Sequence, residues 1–137
     1  MYRTRAPHEE GVNTSVKICT SSRNDAQWSE AQLFEITGDT LSAFAHPAVS
    51  PDGKYLYFVS DMPGGYGGKD IWRIDLTERG TAVENLGVQI NTPASEMFTY
   101  HKSDSTPYFA FDGPPGMGRP DIFPATLTNS GGGNLCT

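Results

Sequence analysis

Four aspartates, Asp61, Asp70, Asp112 and Asp121, form two pairs, each enclosing a loop rich in glycine and proline. Oxygen donors beside such loops suggest calcium, but calcium takes about six to eight oxygens at dense, alternating positions. Two carboxylates nine residues apart do not meet that need alone. Aspartates flanking glycine-rich turns more often accept backbone N–H bonds and hold the loop's shape. All four are therefore read as structural residues, and no metal site is assigned.

Gly64-Gly65-Tyr66-Gly67-Gly68-Lys69-Asp70 has the glycines and lysine of a phosphate cradle. A P-loop needs Ser or Thr directly after Gly-Lys to reach magnesium, and a helix behind it. Asp70 stands where the hydroxyl belongs, and its charge repels phosphate. The loop's glycines, Gly64, Gly65, Gly67 and Gly68, are expected instead to supply positive φ values in a long hairpin loop. His8, His46 and His101 are far apart, and no His-x-x-x-His or Cys-x-x-Cys spacing offers ligands to zinc. No Gly-x-Ser-x-Gly elbow presents a serine nucleophile. The expectation is a non-catalytic protein with no cofactor. Trp28 and Trp72 are expected in the core between structural units rather than on a ligand platform.

The elements that position these loops repeat. Tyr57 to Ile71 and Tyr108 to Ile122 are copies fifty-one residues apart, identical at eight of fifteen positions. The shared residues include Asp61/Asp112, Gly65/Gly116, Gly67/Gly118 and Asp70/Asp121. Such self-similarity in a strand-rich chain points to modules that bury their faces only against neighbours. Propeller blades take roughly 40–50 residues, and closed rings hold roughly 4–8 of them. A chain of 137 residues then holds between two and three blades. The fold expected is all-β, a partial β-propeller of four-stranded antiparallel blades belonging to a larger ring.

Ser50-Pro51-Asp52-Gly53 is the clearest turn: Pro51 presets φ, Asp52 tolerates the second corner and Gly53 takes the left-handed exit. The strand after it, Lys54 to Val59, is apolar on both faces, as a sheet covered on both sides requires. Val16–Thr20 reads as a strand without an upstream partner. These signals divide the chain into an irregular or disordered leader (1–15), propeller (16–127) and disordered tail (128–137). Within the propeller come the last strands of one blade, a full blade at about 28–76 and most of the next at about 81–127.

The net charge of −6 and pI near 4.9, without a basic cluster, oppose nucleic-acid binding and a polybasic membrane contact. No apolar run approaches the roughly 18 residues of a membrane span, and the polar start, with Arg3 and Arg5, is not a signal peptide. Cys19 and Cys136 leave pairing open.

His46-Pro47-Ala48-Val49-Ser50-Pro51-Asp52-Gly53-Lys54-Tyr55-Leu56-Tyr57-Phe58 resembles the Pro-Asp-Gly repeat of TolB-type, WD-like β-propellers. Ser60 to Trp72 and Asn85 to Pro93, with Glu96-Met97-Phe98, further resemble the propeller segment of OmpA-family envelope proteins of the Bacteroidetes type. The resemblance covers about residues 16–125, and Lys102-Ser103-Asp104-Ser105 departs from it where Pro-Asp-Gly-Lys would stand. It implies a non-catalytic binding or scaffold module in the periplasm or at the outer membrane. Some members of that family are periplasmic components of the type IX secretion machinery. The partners implied are the remaining blades of a parent protein and other envelope proteins. Peptidoglycan would be bound only through an OmpA-like domain that these residues do not contain. The alternative is the gating propeller of a prolyl-oligopeptidase-like hydrolase.

Overall fold

The computed structural model describes residues 1–5, 15–37, 41–78, 82–102, 106–111, 120–127 and 133–135. These residues are all-β, with antiparallel sheets of two to four strands. Among them no helix is long and apolar enough to cross a membrane.

The first sheet contains β1 (Tyr2–Arg5), β2 (Lys17–Thr20) and β5 (Gln32–Leu33), in the order β1-β2-β5. A small hairpin, β3 (Arg23–Asn24) and β4 (Gln27–Trp28), rises between β2 and β5. The expected upstream-free strand thus has a partner: Arg3 pairs with Cys19 and Thr4 with Ile18. Tyr2–Arg5 is accordingly no irregular leader. Its short pattern carries little apolar signal, and its order comes from pairing with β2 and packing on the next sheet. Trp28 also departs from expectation. It is exposed on the hairpin, with the Arg23 guanidinium 6.0 Å from its ring centre, whereas Trp72 is buried.

The second sheet is a four-stranded meander of β6 (Phe44–Val49), β7 (Tyr55–Ser60), β8 (Asp70–Asp75) and β9 (Glu84–Asn85). The third repeats it with β10 (Glu96–His101), β11 (Pro107–Phe111), β12 (Asp121–Leu127) and β13 (Gly133–Leu135). Sheet boundaries therefore run from Phe44 to Asn85 and from Glu96 to Leu135, not 28–76 and 81–127. Glu84–Asn85 closes the second sheet by pairing with β8 rather than opening the third. Gly133–Leu135, expected in the disordered tail, pairs with β12. Backbone pairing alone fixes such short polar edge strands, so side-chain patterning does not announce them.

The repeat seen in sequence is also a repeat of register. Phe58 pairs with Trp72, Val59 with Ile71 and Ser60 with Asp70. Fifty-one residues on, Phe109 pairs with Phe123, Ala110 with Ile122 and Phe111 with Asp121. The irregularities recur as well. The β6–β7 register shifts between Ala45 and Ala48, and the β10–β11 register between Met97 and Thr99, the same place in the repeat.

As its two-sided apolar pattern requires, β7 packs on both faces. Phe58, with Phe44, Met62 and Trp72, meets Ile18 of the first sheet. Tyr57 and Val59, with Ile71, Leu86 and Ile90, meet Phe109 and Ala125 of the third. Phe58 is fully buried, and truncating such a side chain to alanine costs about 3–5 kcal/mol.

Candidate functional site

The glycine-rich loop between β7 and β8 is organised by Asp70, which is buried at the start of β8. Its Oδ2 accepts the Tyr66 N–H at 2.6 Å and an Asn85 side-chain N–H at 2.8 Å. Its Oδ1 accepts the Gly67 N–H at 3.0 Å. Both oxygens are thus engaged by N–H donors, which is the loop-holding role expected of Asp70. Among the described residues no group of three or more His, Cys, Asp or Glu is placed to hold a metal ion.

The glycines meet the expectation of positive φ at one position and depart from it at the others. Only Gly64 in this loop has positive φ, at 95°. Gly65 and Gly67 are needed for space. A Cβ on Gly65 would lie 2.7 Å from Asp70 Oδ2, and one on Gly67 only 2.2 Å from the Thr92 carbonyl oxygen. The loop therefore lies directly against the backbone of residues 92–96, which lead into β10. There the Gly68 N–H donates to the Ala94 carbonyl at 2.8 Å, and the Glu96 N–H donates to the Lys69 carbonyl at 2.8 Å. An isolated parallel bridge joins Lys69 to Ser95.

Two further side chains complete this joint, Asn91 and Glu96. Asn91 is buried, and its side-chain amide is hydrogen-bonded to the backbone of Ile71. Its amide also donates to Asn85 Oδ1 at 2.7 Å, connecting it through Asn85 to Asp70. Glu96 is fully buried, and its Oε1 accepts the Thr92 N–H at 3.0 Å and the Thr92 hydroxyl at 2.6 Å. Its Oε2 has no hydrogen-bond partner among the described residues. Burial pushes the Glu96 carboxyl above its usual range, and the negative charge of Asp70 acts in the same direction.

The other predicted residues hold turns. Asp61 Oδ1 accepts the Ala43 N–H at 2.8 Å, tying the end of β7 to the approach of β6. In the Pro51-Asp52-Gly53 turn, the Gly53 N–H donates to the Ser50 carbonyl at 2.8 Å and Gly53 takes φ 73°. Asp52 Oδ1 accepts the Lys54 N–H at 3.0 Å, and the hydrogen bond from Ser50 leads in lowering its pKa. Asp121 begins β12 at the place Asp70 holds in β8. Asp112, Gly116 and Gly118 lie outside the described residues, as does Cys136. Asp70 and Asp61 stand at opposite ends of the loop with separate partners, so the structure does not bring them into one site.

His46 is the point at which three sheets meet. It sits in the β6 irregularity with φ 50°, where its backbone is out of the ladder. Its N–H donates to Thr4 Oγ1 in the first sheet at 3.0 Å. Its carbonyl accepts the Thr99 hydroxyl in the third sheet at 2.9 Å. The bulge thus turns ladder groups into bonds between sheets.

Sequence reasoning did not assign roles to Asn91, Asn85, Glu96, Thr4 or Thr99. An amide and a carboxylate within one short connection, Asn91-Thr92-Pro93-Ala94-Ser95-Glu96, were the signals available, and their burial is seen only in the structure. No family model matches this chain. No curated protein matches it in sequence.

Proposed function

We propose that these residues are a stretch of β-propeller acting as a non-catalytic binding or scaffold module of an OmpA-family cell-envelope protein. The observation that carries the propeller reading is the arrangement of first strands. β1, β6 and β10, each the first strand of its sheet, pack on one another in turn. From β6 and β10 the remaining strands run outward as sequential antiparallel meanders. Four-stranded sheets set radially around a common axis have this pattern. The glycine-rich loop and His46 both join one sheet to the next, which supports a scaffold. The envelope setting rests on the resemblance of the Pro-Asp-Gly and Asn85 to Pro93 segments alone.

The coding sequence on either side of these residues tests this reading. Further repeats together with an OmpA-like domain support it, as does recovery of the parent protein in the outer-membrane or periplasmic fraction. An α/β-hydrolase domain with a serine elbow would instead make this a gating propeller.

A further inference from the structure

The outer face of the third sheet carries a hollow of about 560 Å³ lined by Tyr100, Lys102, Tyr108, Ala110 and Ile122. Its lining is apolar, with Ile122 72% and Tyr100 65% exposed and Ala110, 5% exposed, on its floor. The repeat identifies what this surface is. Tyr108, Ala110 and Ile122 are the counterparts, fifty-one residues on, of Tyr57, Val59 and Ile71. In the second sheet those three are 3%, 2% and 0% exposed, because Phe109, Ala125 and the Leu86–Ile90 connection cover them. Phe109 is in turn the counterpart of Phe58, which enters the core formed with Ile18 of the first sheet. The same contact, an aromatic residue of one sheet against the apolar face of the preceding one, therefore already occurs twice.

We infer that the Tyr100–Tyr108–Ala110–Ile122 face is the docking surface for a further unit of this same repeat. The occupant is a four-stranded sheet presenting an aromatic residue in the Phe58/Phe109 role, preceded by a connection of the Leu86 to Glu96 type. This face continues, one repeat along, the interface between the second and third sheets. Identical register on both sides of the repeat gives the open face the geometry of the covered one. Burying an exposed isoleucine and two tyrosines supplies the driving force, as in arrays stabilised by nearest-neighbour contacts. The inference deepens the propeller reading but rests only on its repeat, not on closure of a ring or location in an envelope.

The test duplicates residues 77–127 directly after Leu127, in place of 128–137, so that the spacing of fifty-one is kept. The copied Glu84–Asn85 then stands where β13 pairs with β12. Ile122→Cys reports the face by its rate of alkylation, compared with the same substitution in the full chain carrying Cys136→Ser; Cys19 is buried. Alkylation is expected to slow about tenfold or more in the extended protein, as burial of a surface position requires. Placing the cysteine instead at the copied Ile122 should restore fast alkylation, because the open face has moved one unit along. Hydrogen exchange reports whether the added strands are ordered. Unchanged alkylation with ordered added strands overturns the inference. So does an added unit that stays unordered, or an Ile122→Cys already protected in the unextended chain. Failure of a complete set of units to close into a ring, read by solution scattering, would sink the propeller reading and leave this result standing.

Discussion

Asn91 is hydrogen-bonded to Ile71 as a neighbouring strand would be. The Ile71 N–H donates to Asn91 Oδ1 at 2.8 Å, and the Asn91 amide donates to the Ile71 carbonyl at 2.9 Å. A side chain thereby extends the ladder beside β8, past the point where β9 ends at Asn85. Asn91→Ala leaves the Ile71 N–H buried without this partner, whereas the Ile71 carbonyl keeps the Leu86 N–H at 3.2 Å. An orphaned buried donor and the lost bonds cost roughly 2–3 kcal/mol. Denaturant titration should show a lower midpoint with an unchanged slope; a midpoint equal to the parent's would refute the role given to Asn91.

Substitutions at glycine separate space from conformation. Gly67→Ala forces a Cβ against the fixed carbonyls of Thr92 and Ala94, at 2.2 and 2.3 Å. The loop and the connection must part, at a cost of about 2 kcal/mol or more. Gly53→Ala meets nothing within 4 Å and bears only its φ of 73°, which costs about 1–2 kcal/mol. Thermal melts should therefore rank Gly67→Ala below Gly53→Ala. The reverse order would mean that the loop is not pressed against residues 92–96.

What could be read from the sequence followed from physical periodicity. The apolar faces of Tyr55 to Val59 and the Pro51-Asp52-Gly53 turn report local geometry, and both stand where expected. The aspartate at the loop's end signalled N–H acceptance, and Asp70 does accept N–H groups. The roles of Gly65 and Gly67 were not legible, because the need for glycine comes from Asp70 and from residues 92–94, whose approach only packing reveals. Tyr2–Arg5, Glu84–Asn85 and Gly133–Leu135 escaped for a related reason. They are short strands ordered by pairing rather than by an apolar face of their own. His46 shows the same limit: nothing local to His46-Pro47 announces bonds to Thr4 and Thr99.

Glu96 gives the fold a pH dependence of unusual sign for a carboxylate. Burial raises its folded-state pKa above the ordinary 4.5, with Asp70 adding to the rise and Thr92 opposing it. A raised folded pKa means that its contribution is fully present below about 4.5 and is lost as pH climbs through the folded value. Glu96→Gln keeps an acceptor for Thr92 and removes the charge. The melting temperature of Glu96→Gln relative to the parent should therefore rise from pH 4.5 to neutrality. A difference that stays flat across that range would show that Glu96 titrates as an exposed carboxylate does.

His101 acts in the opposite direction, so the two substitutions must be read separately. Its ring lies 4.6 Å from that of Tyr57, and both ring nitrogens are buried without a hydrogen-bond partner among the described residues. Burial lowers its pKa below 6.5, with the charge of Asp52 opposing. A depressed folded pKa makes the contribution present above about 6.5 and lost as pH falls through the folded value, where the buried imidazole must charge. His101→Phe keeps a planar ring against Tyr57 and removes two unpartnered polar atoms, which favours the folded state by up to about 1 kcal/mol. Its advantage over the parent should widen as pH drops from 7 to 5, measured by denaturant midpoints at each pH. An advantage that stays flat across that range would place the imidazole in contact with water, and one that narrows would mean that the folded state favours the charged ring; either excludes the buried neutral imidazole.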